Sequence, residues 1–152
     1  MIDLKVQVEI KGKLLKDLIN RPEGVMTKSI WAGMVNLVEE IEARGKEEAP
    51  VKTSNLRRHI VSSVSADGKK GIVTSQAPYS EYVHRGTGLF GPFHTKIKPK
   101  IKKALFWPGA EHPYKSVKGM KPNPFFTRAL EKTKSQKVFE EGIWGYLKSL
   151  GG

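Results

Sequence analysis

Cysteine is absent from the sequence, which excludes disulfide bonds, cysteine zinc sites and a thiol nucleophile. Acidic residues are few, with 15 Asp and Glu against 27 Lys and Arg, so the formal net charge of the 152 residues is +12. No apolar run approaches the roughly 20 residues of a membrane span, and the alternating N-terminus is unlike a signal peptide. The length predicts a single domain, residues 1–152. The positive charge predicts an anionic partner, and we expect that this partner is not a membrane.

The positive charge is concentrated in one quarter of the chain. Residues 85–121 hold nine basic residues and one acidic residue, Glu111, whereas residues 1–84 hold 13 basic and 11 acidic residues. The same segment is rich in glycine and proline, which favours loops. We therefore expect residues 85–121 to form an extended basic loop region, which is either a binding element or a segment ordered by neighbouring molecules.

The apolar pattern elsewhere predicts regular elements on both sides of this region. Residues 3–10 alternate as a half-buried strand does, and residues 23–48 carry apolar side chains at steps of three and four, as an amphipathic helix does. Two apolar runs, 59–66 and 71–76, flank an Asp-Gly pair that is typical of a hairpin turn. The first half of the chain therefore predicts a small antiparallel sheet beside a long helix.

Shorter elements complete the expected fold. We expect a helix over 14–19, a helical turn that leads to Leu56 and is capped by Thr53 or Ser54, and a helix or extended segment over 79–84. The apolar run 101–107 predicts a strand, and a C-terminal helix follows residue 124, although its apolar period slips near residue 135. The expected fold is α+β: a small antiparallel sheet packed against a long helix and a C-terminal helix, with a long basic loop.

The side chains that often carry catalysis form no recognisable set. Two glutamates of the long helix, Glu40 and Glu42, have a basic residue four positions on, which is typical of a solvated face. A Gly-x-Gly-x-x-Gly pattern at 86–91 matches the dinucleotide-binding spacing, but a proline follows where that motif requires a helix. The histidines have no zinc-binding spacing; they are His59, His84, His94 and His112. We therefore expect no enzyme activity, no cofactor and no metal.

Lysine alternates with other residues over 96–102. In an extended chain this spacing places four ammonium groups on one face. They then form either a solvated edge strand or a stripe that follows a phosphate backbone without reading the bases. Together with nearby lysines of the loop region they make eight candidate contact residues: Lys96, Lys98, Lys100, Lys102, Lys103, Lys115, Lys118 and Lys121.

Four short segments, taken in order, resemble one protein family. Residues 48–57 read EAPVKTSNLR, residues 77–88 read APYSEYVHRGTG, and residues 118–126 read KGMKPNPFF before a helix that starts at Thr127. This order, over roughly residues 25–135, resembles the tail-component family of long-tailed bacteriophages, which are small tail-completion or head–tail joining proteins. Ser54 and Asn55 stand where that family has a glycine, and Arg85 stands where it has an aromatic or acidic residue.

The resemblance implies a non-catalytic structural protein of the virion neck or upper tail, assembled in the host cytoplasm. Such proteins form rings, commonly sixfold, around the DNA channel. The implied partners are therefore further copies of this chain, neighbouring neck and tail proteins, and packaged DNA bound without sequence preference. In this setting the eight lysines are candidate DNA-channel or inter-ring contacts, and heterologous contacts between copies close the ring.

The residues leave two other functions open. The first is a non-catalytic, sequence-independent nucleic-acid-binding domain, which predicts salt-dependent DNA binding by the monomer. The second is a basic, toxin-like ribonuclease, which would bring His84, Arg85 and a carboxylate into one cleft. The candidate aromatic contacts are Phe90, Phe93, Trp107 and Tyr114, of which Trp107 is expected to lie in the core instead.

Overall fold

The computed structural model describes residues 2–6, 8–51 and 54–151. Its contacts divide the chain into two compact units. The first unit combines Met1–Ala77 with Phe125–Gly152, and the second unit is Pro78–Pro124. The predicted α+β class is confirmed, and a single domain over residues 1–152 stays a prediction.

The first unit contains a three-stranded antiparallel sheet with the order β1-β3-β2. The strands are β1 (Ile2–Val6), β2 (Ile60–Val64) and β3 (Gly71–Ser75). The predicted hairpin of β2 and β3 is confirmed, and in its turn the Asp67 carboxylate accepts a hydrogen bond from the Ser65 hydroxyl at 2.5 Å. The hydrogen bonds to Asp67, first from Ser65 and then from the Lys69 amide, lower the pKa of its carboxyl group.

The first strand is shorter than the predicted segment 3–10. β1 pairs with β3 from Ile2 to Val6, and residues 8–10 lie outside any strand, while residue 7 falls outside the described part of the chain. The pairing stops because Val6 already lies opposite Gly71, the first residue of β3. Within β1 the predicted alternation of exposed and covered side chains is confirmed.

Helices make up the rest of the first unit. They are α1 (Gly12–Ile19), α2 (Val25–Glu48), α3 (Asn55–Arg58), α5 (Phe125–Lys132) and α6 (Ser135–Ser149), and α4 (Ser80–Arg85) belongs to the second unit. α2 is the central helix, because it packs against the sheet, α5 and α6. Its buried apolar face confirms the predicted periodicity and includes Met34, Leu37, Val38 and Ile41. No helix in the described ranges combines the length and apolar character that crossing a membrane requires.

The C-terminal helix is divided in two. α5 ends at Lys132 and α6 begins at Ser135, which is where the apolar period slips in the sequence. At the break, the Thr133 hydroxyl donates a hydrogen bond to the Ala129 carbonyl oxygen at 2.8 Å, so the buried threonine is satisfied locally. The break lets both helices bury apolar side chains, including Phe125 and Phe126 of α5 and Phe139 of α6.

Two glycines let α2 and α6 approach closely. A Cβ atom on Gly142 of α6 would lie 2.7 Å from the Asn36 Cβ and 2.9 Å from the Ala32 carbonyl oxygen, both in α2. A Cβ atom on Gly33 of α2 would lie 2.8 Å from the Phe139 carbonyl oxygen. Asn36 also donates a side-chain hydrogen bond to the Val138 carbonyl oxygen at 2.7 Å. The contact between these helices therefore depends on the absence of two side chains.

The turn after α2 is held by Arg57. Its guanidinium donates to the Ala49 carbonyl oxygen from two nitrogens at 3.2 Å and to the Glu47 carbonyl oxygen at 3.3 Å. Ser54 has a φ of 55°, in the left-handed region that glycine adopts more easily. Glycine is also the residue expected at this position from the resemblance to the tail-component family. The Ser54 side chain makes no capping hydrogen bond, so capping by Ser54 is wrong, and Thr53, the other predicted cap, lies outside the described residues.

Glu48 connects the end of α2 to α5. Its carboxylate accepts hydrogen bonds from Lys132 and from the Arg128 Nε, the latter at 2.9 Å. The hydrogen bond from Lys132, followed by that from Arg128, lowers the pKa of Glu48 from its ordinary value of 4.5. The first motif segment, 48–57, is therefore in direct contact with the helix that forms the fourth.

Replacing Glu48 by glutamine is expected to reduce the loss of unfolding free energy that the protein shows as the pH becomes acidic. Because the folded-state pKa of Glu48 is lowered, its ionised form stabilises the fold above the unfolded-state pKa, and this contribution is lost as pH falls through the folded-state pKa. Wild-type protein should therefore lose more stability than Glu48→Gln between about pH 7 and about pH 3 in urea titrations. Glu39→Gln, at an exposed position of α2, is the control. Parallel profiles for wild type and Glu48→Gln would contradict the assignment.

The second unit has little regular structure besides α4. A single 3₁₀ turn covers Gly88–Phe90, and two isolated antiparallel bridges join Ile97 to Val117 and Leu105 to Tyr114. The predicted strand over 101–107 is wrong, since only Leu105 in that run is bridged and residues 101–104 bend. An apolar run becomes a strand only when a neighbouring strand pairs along it, and here the pairing is limited to one residue.

Candidate binding surface

Two distant segments cross at the centre of the second unit. The Thr87 amide donates to the Met120 carbonyl oxygen at 2.9 Å, the Leu89 amide donates to the Lys118 carbonyl oxygen at 2.8 Å, and the Met120 amide donates to the Thr87 hydroxyl at 2.9 Å. The two bonds of Thr87 join the second and third motif segments, 77–88 and 118–126, and Leu89 directly follows the second segment. We call this contact the loop crossing.

The loop crossing requires glycine on both sides. Gly88 has a φ of 63° and Gly119 a φ of 94°, values that other residues rarely adopt. A Cβ atom on Gly88 would lie 2.2 Å from the Lys118 carbonyl oxygen, and one on Gly119 would lie 2.2 Å from the Thr87 carbonyl oxygen. Backbone therefore packs directly on backbone at this point.

The basic loop region is fixed at several further points. Ile97 and Val117 exchange two backbone hydrogen bonds at 2.9 Å, and Leu105 and Tyr114 exchange two at 2.7 and 2.8 Å. The Trp107 ring stacks on the Tyr114 ring with centroids 5.4 Å apart. The prediction that Trp107 lies in the core is wrong, because its side chain is 45% exposed.

All eight candidate lysines are exposed: Lys96, Lys98, Lys100, Lys102, Lys103, Lys115, Lys118 and Lys121. The extended ribbon predicted over 96–102 is interrupted, because the chain bends from Lys100 onward. Ile101 shows this directly, since its side chain is 98% exposed instead of being covered on the face opposite the lysines. The lysines thus form a basic surface and not a single stripe. That they contact DNA or another ring stays a prediction.

The charge of this surface is not balanced within the second unit. Within the described ranges, none of the eight lysines forms an ion pair. Lys121 instead lies 5.9 Å from the centroid of the Phe90 ring. Residues 78–124 contain nine basic residues and two acidic residues, and one of those acids, Glu81, pairs with Arg85 at 3.2 Å. The surface therefore attracts anions.

An open groove of about 610 Å³ lies in the same unit. Its lining includes the apolar side chains of Tyr82, Phe93 and Ile97 and the basic side chains of Arg85, Lys96 and Lys100. We call it the basic groove. Phe93 was a candidate contact from the sequence, whereas Tyr82 was not. Tyr82 would have been found by treating 79–84 as a helix, because Ser80 and Val83 form its buried face and Tyr82 then points away.

The ribonuclease arrangement is only partly present in the basic groove. Arg85 and Glu81 belong to its lining, but His84 does not. The glycine pattern at 86–91 follows α4 and contains the three-residue turn Gly88–Phe90, so its backbone does not lead into a helix long enough to bind phosphate at an N-terminus. Among residues 2–6, 8–51 and 54–151, no group of three or more His, Asp or Glu side chains is placed to hold a metal ion.

The two predicted ion pairs along α2 are confirmed. Glu40 pairs with Arg44 at 2.7 Å and Glu42 with Lys46 at 2.5 Å. Burial alone would raise the pKa of Glu42, but hydrogen bonds from Lys46 and from the Ser62 hydroxyl outweigh burial and lower that pKa. Glu42 thereby links α2 to Ser62 of β2 and supports the fold of the first unit.

Comparisons of the chain with protein-family models, with curated proteins and with solved structures found no match.

Proposed function

We propose that the protein is a structural component of the neck or upper tail of a long-tailed bacteriophage. It acts in tail completion or head–tail joining and assembles as a ring, commonly of six copies, around the DNA channel. The observation that supports this proposal most is the surface of eight exposed lysines without acidic partners, carried on a loop region that the two central motif segments hold in place.

Ring assembly would give this surface a clear use. A rotationally repeated subunit presents each lysine once per copy, so a modest charge on one chain becomes a continuous positive band. Such a band attracts the phosphate backbone without reading its sequence, because a lysine ammonium is a point charge without base-specific geometry. A virion location after assembly in the host cytoplasm belongs to the same proposal.

The mass of the purified protein, measured by light scattering after size exclusion, tests the proposal. We expect the mass to rise with concentration from 17.0 kDa toward a closed ring without DNA. The triple variant Lys96→Gln, Lys98→Gln, Lys100→Gln should keep this assembly and weaken DNA binding at low salt by about tenfold or more. The matched control replaces Lys13, Lys16 and Lys69, exposed residues of the first unit, by glutamine and should change binding by less than about threefold.

Two outcomes would contradict the ring. A protein that stays a monomer at every concentration and binds DNA with steep salt dependence would be the alternative, a sequence-independent nucleic-acid-binding domain. The exposed aromatic side chains beside the lysines favour this alternative over an enzyme. A monomer that neither assembles nor binds DNA would contradict both functions.

A further inference from the structure

We propose that the basic groove is a docking site for an acidic segment of a partner protein, in which a bulky apolar side chain stands between carboxylates. The apolar side chain would contact Tyr82, Phe93 and Ile97, and the carboxylates would pair with Lys96, Lys100 and Arg85. The proposal goes beyond ring assembly and does not depend on it, because every groove residue comes from one chain.

The apolar side of the groove is open to solvent. Phe93 is 86% exposed and Tyr82 is 62% exposed, which is unusual for aromatic side chains that share one groove. The exposure of Tyr82 follows from the fold, since α4 buries Ser80 and Val83 on its other face. Covering these rings would remove apolar surface from water, and that is the main favourable contribution available to a ligand here.

Two of the three basic residues of the groove have no acidic partner. Lys96 and Lys100 form no ion pair within the described residues, whereas Arg85 pairs with Glu81, which also belongs to the lining. A ligand with carboxylates on both sides of its apolar group would match this charge pattern. The volume of about 610 Å³ lies within the roughly 300–1,000 Å³ typical of ligand clefts, which is room for a few side chains of a peptide.

The groove fits a peptide better than a nucleic acid. Duplex DNA would meet the lysines through its phosphates and leave Phe93 and Tyr82 uncovered. Single strands stack their bases on successive flat rings, whereas this lining also contains the aliphatic side chains of Ile97 and Pro92. An apolar side chain inserts among mixed aliphatic and aromatic neighbours without needing a parallel ring.

The groove is already formed in the free chain. Thr87 and Gly88 of its lining lie at the loop crossing, the Gly86 amide donates to the Tyr82 carbonyl oxygen at 2.9 Å, and Ile97 is fixed by its bridge to Val117. A preformed site costs a ligand less ordering entropy than a site that must fold on binding. A short peptide should therefore bind measurably on its own.

The test is a fluorescence-anisotropy titration of the full chain with a dye-labelled peptide, one phenylalanine flanked on each side by two glutamates. We expect saturable binding. Alanine in place of the phenylalanine should weaken it by about tenfold or more, and glutamine in place of the glutamates by about fivefold or more. A labelled oligothymidylate is titrated in parallel as the nucleic-acid probe.

Matched variants localise the binding. Phe93→Ala should weaken peptide binding by about tenfold, whereas Phe106→Ala, at a phenylalanine that is 68% exposed outside the groove lining, should change it by less than about twofold. The pair Lys96→Gln with Lys100→Gln should weaken binding by about fivefold, and the equally charged pair Lys103→Gln with Lys115→Gln by less than about twofold. All six positions are exposed, so these variants should fold.

Three results would overturn the proposal. The first is no peptide binding up to about 1 mM, a weak affinity by any standard. The second is peptide binding that the groove variants and the control variants weaken equally, which is non-specific attraction. The third is groove-dependent binding of oligothymidylate without peptide binding, which assigns the groove to single-stranded nucleic acid. The two proposals fail independently. Ring formation is tested by the mass of the protein in light scattering, and a protein that forms no ring can still bind the peptide in this titration.

Discussion

Gly119→Ala is expected to disrupt the loop crossing at a cost of at least about 3 kcal/mol. The new Cβ atom would stand 2.2 Å from the Thr87 carbonyl oxygen, which is backbone and cannot turn aside. The left-handed φ of 94° adds strain for any residue other than glycine. Relief requires the two segments to separate, which breaks the hydrogen bonds from the Thr87, Leu89 and Met120 amides.

Gly109→Ala is the matched control for this substitution. Gly109 has a similar φ of 89° in the same unit, but a Cβ atom there meets nothing within 4 Å. Its cost should be the backbone strain alone, about 1–2 kcal/mol. Amide hydrogen exchange at Thr87 and Leu89 measures the opening of the crossing directly. Equal exchange rates in the two variants would show that close backbone contact is not what holds the crossing together.

Two alanine substitutions in α6 are expected to change stability in opposite directions. Gly142→Ala should destabilise the first unit by about 1–3 kcal/mol, because its Cβ atom would meet Asn36 and the backbone of Ala32 and Gly33 in α2 at 2.7–2.9 Å. Gly145→Ala should stabilise it by about 0.4–1 kcal/mol, since that Cβ atom meets nothing within 4 Å and alanine favours the helix.

Thermal or urea unfolding followed by far-UV circular dichroism distinguishes the two substitutions. Both substitutions replace a glycine by alanine in the same helix, so each gains about the same intrinsic helix propensity. This gain cancels when the two variants are compared. What remains is the contact between α2 and α6. Stabilisation by both substitutions would mean that the helices in solution are farther apart than described here.

The elements that the sequence predicts well are those whose signal is local. The apolar face of α2 and the Asp67-Gly68 turn between β2 and β3 depend on residues a few positions apart, and both are found where predicted. The end of β1 depends on the length of β3, 65 or more residues away, and the apolar run 101–107 depends on whether a partner strand exists. Neither kind of information is present in a local pattern.

The candidate surface divides in the same way. Exposure of the lysines follows from their charge and from the loop composition, and it is predicted for all eight. The basic groove is not predicted, because it combines Tyr82 on α4 with Phe93 and Lys96 beyond the glycine-rich turn. The loop crossing is also invisible in either segment alone, since Gly88 and Gly119 each look like an ordinary loop glycine. Only the close contact between the two segments explains why glycine is required at both positions.

The first unit is discontinuous in sequence, and this has a consequence for folding during synthesis. β1 pairs with β3 across about seventy residues, and Asn36 bonds to Val138 over a separation of 102 residues. The part of α2 that packs against α5 and α6 therefore stays uncovered while the ribosome makes the whole of Pro78–Pro124 and then these two helices. The second unit, whose contacts lie within 47 consecutive residues, can close first. The nascent chain thus presents its finished basic surface before its hydrophobic core is complete, and the core is completed only after the last helix is released.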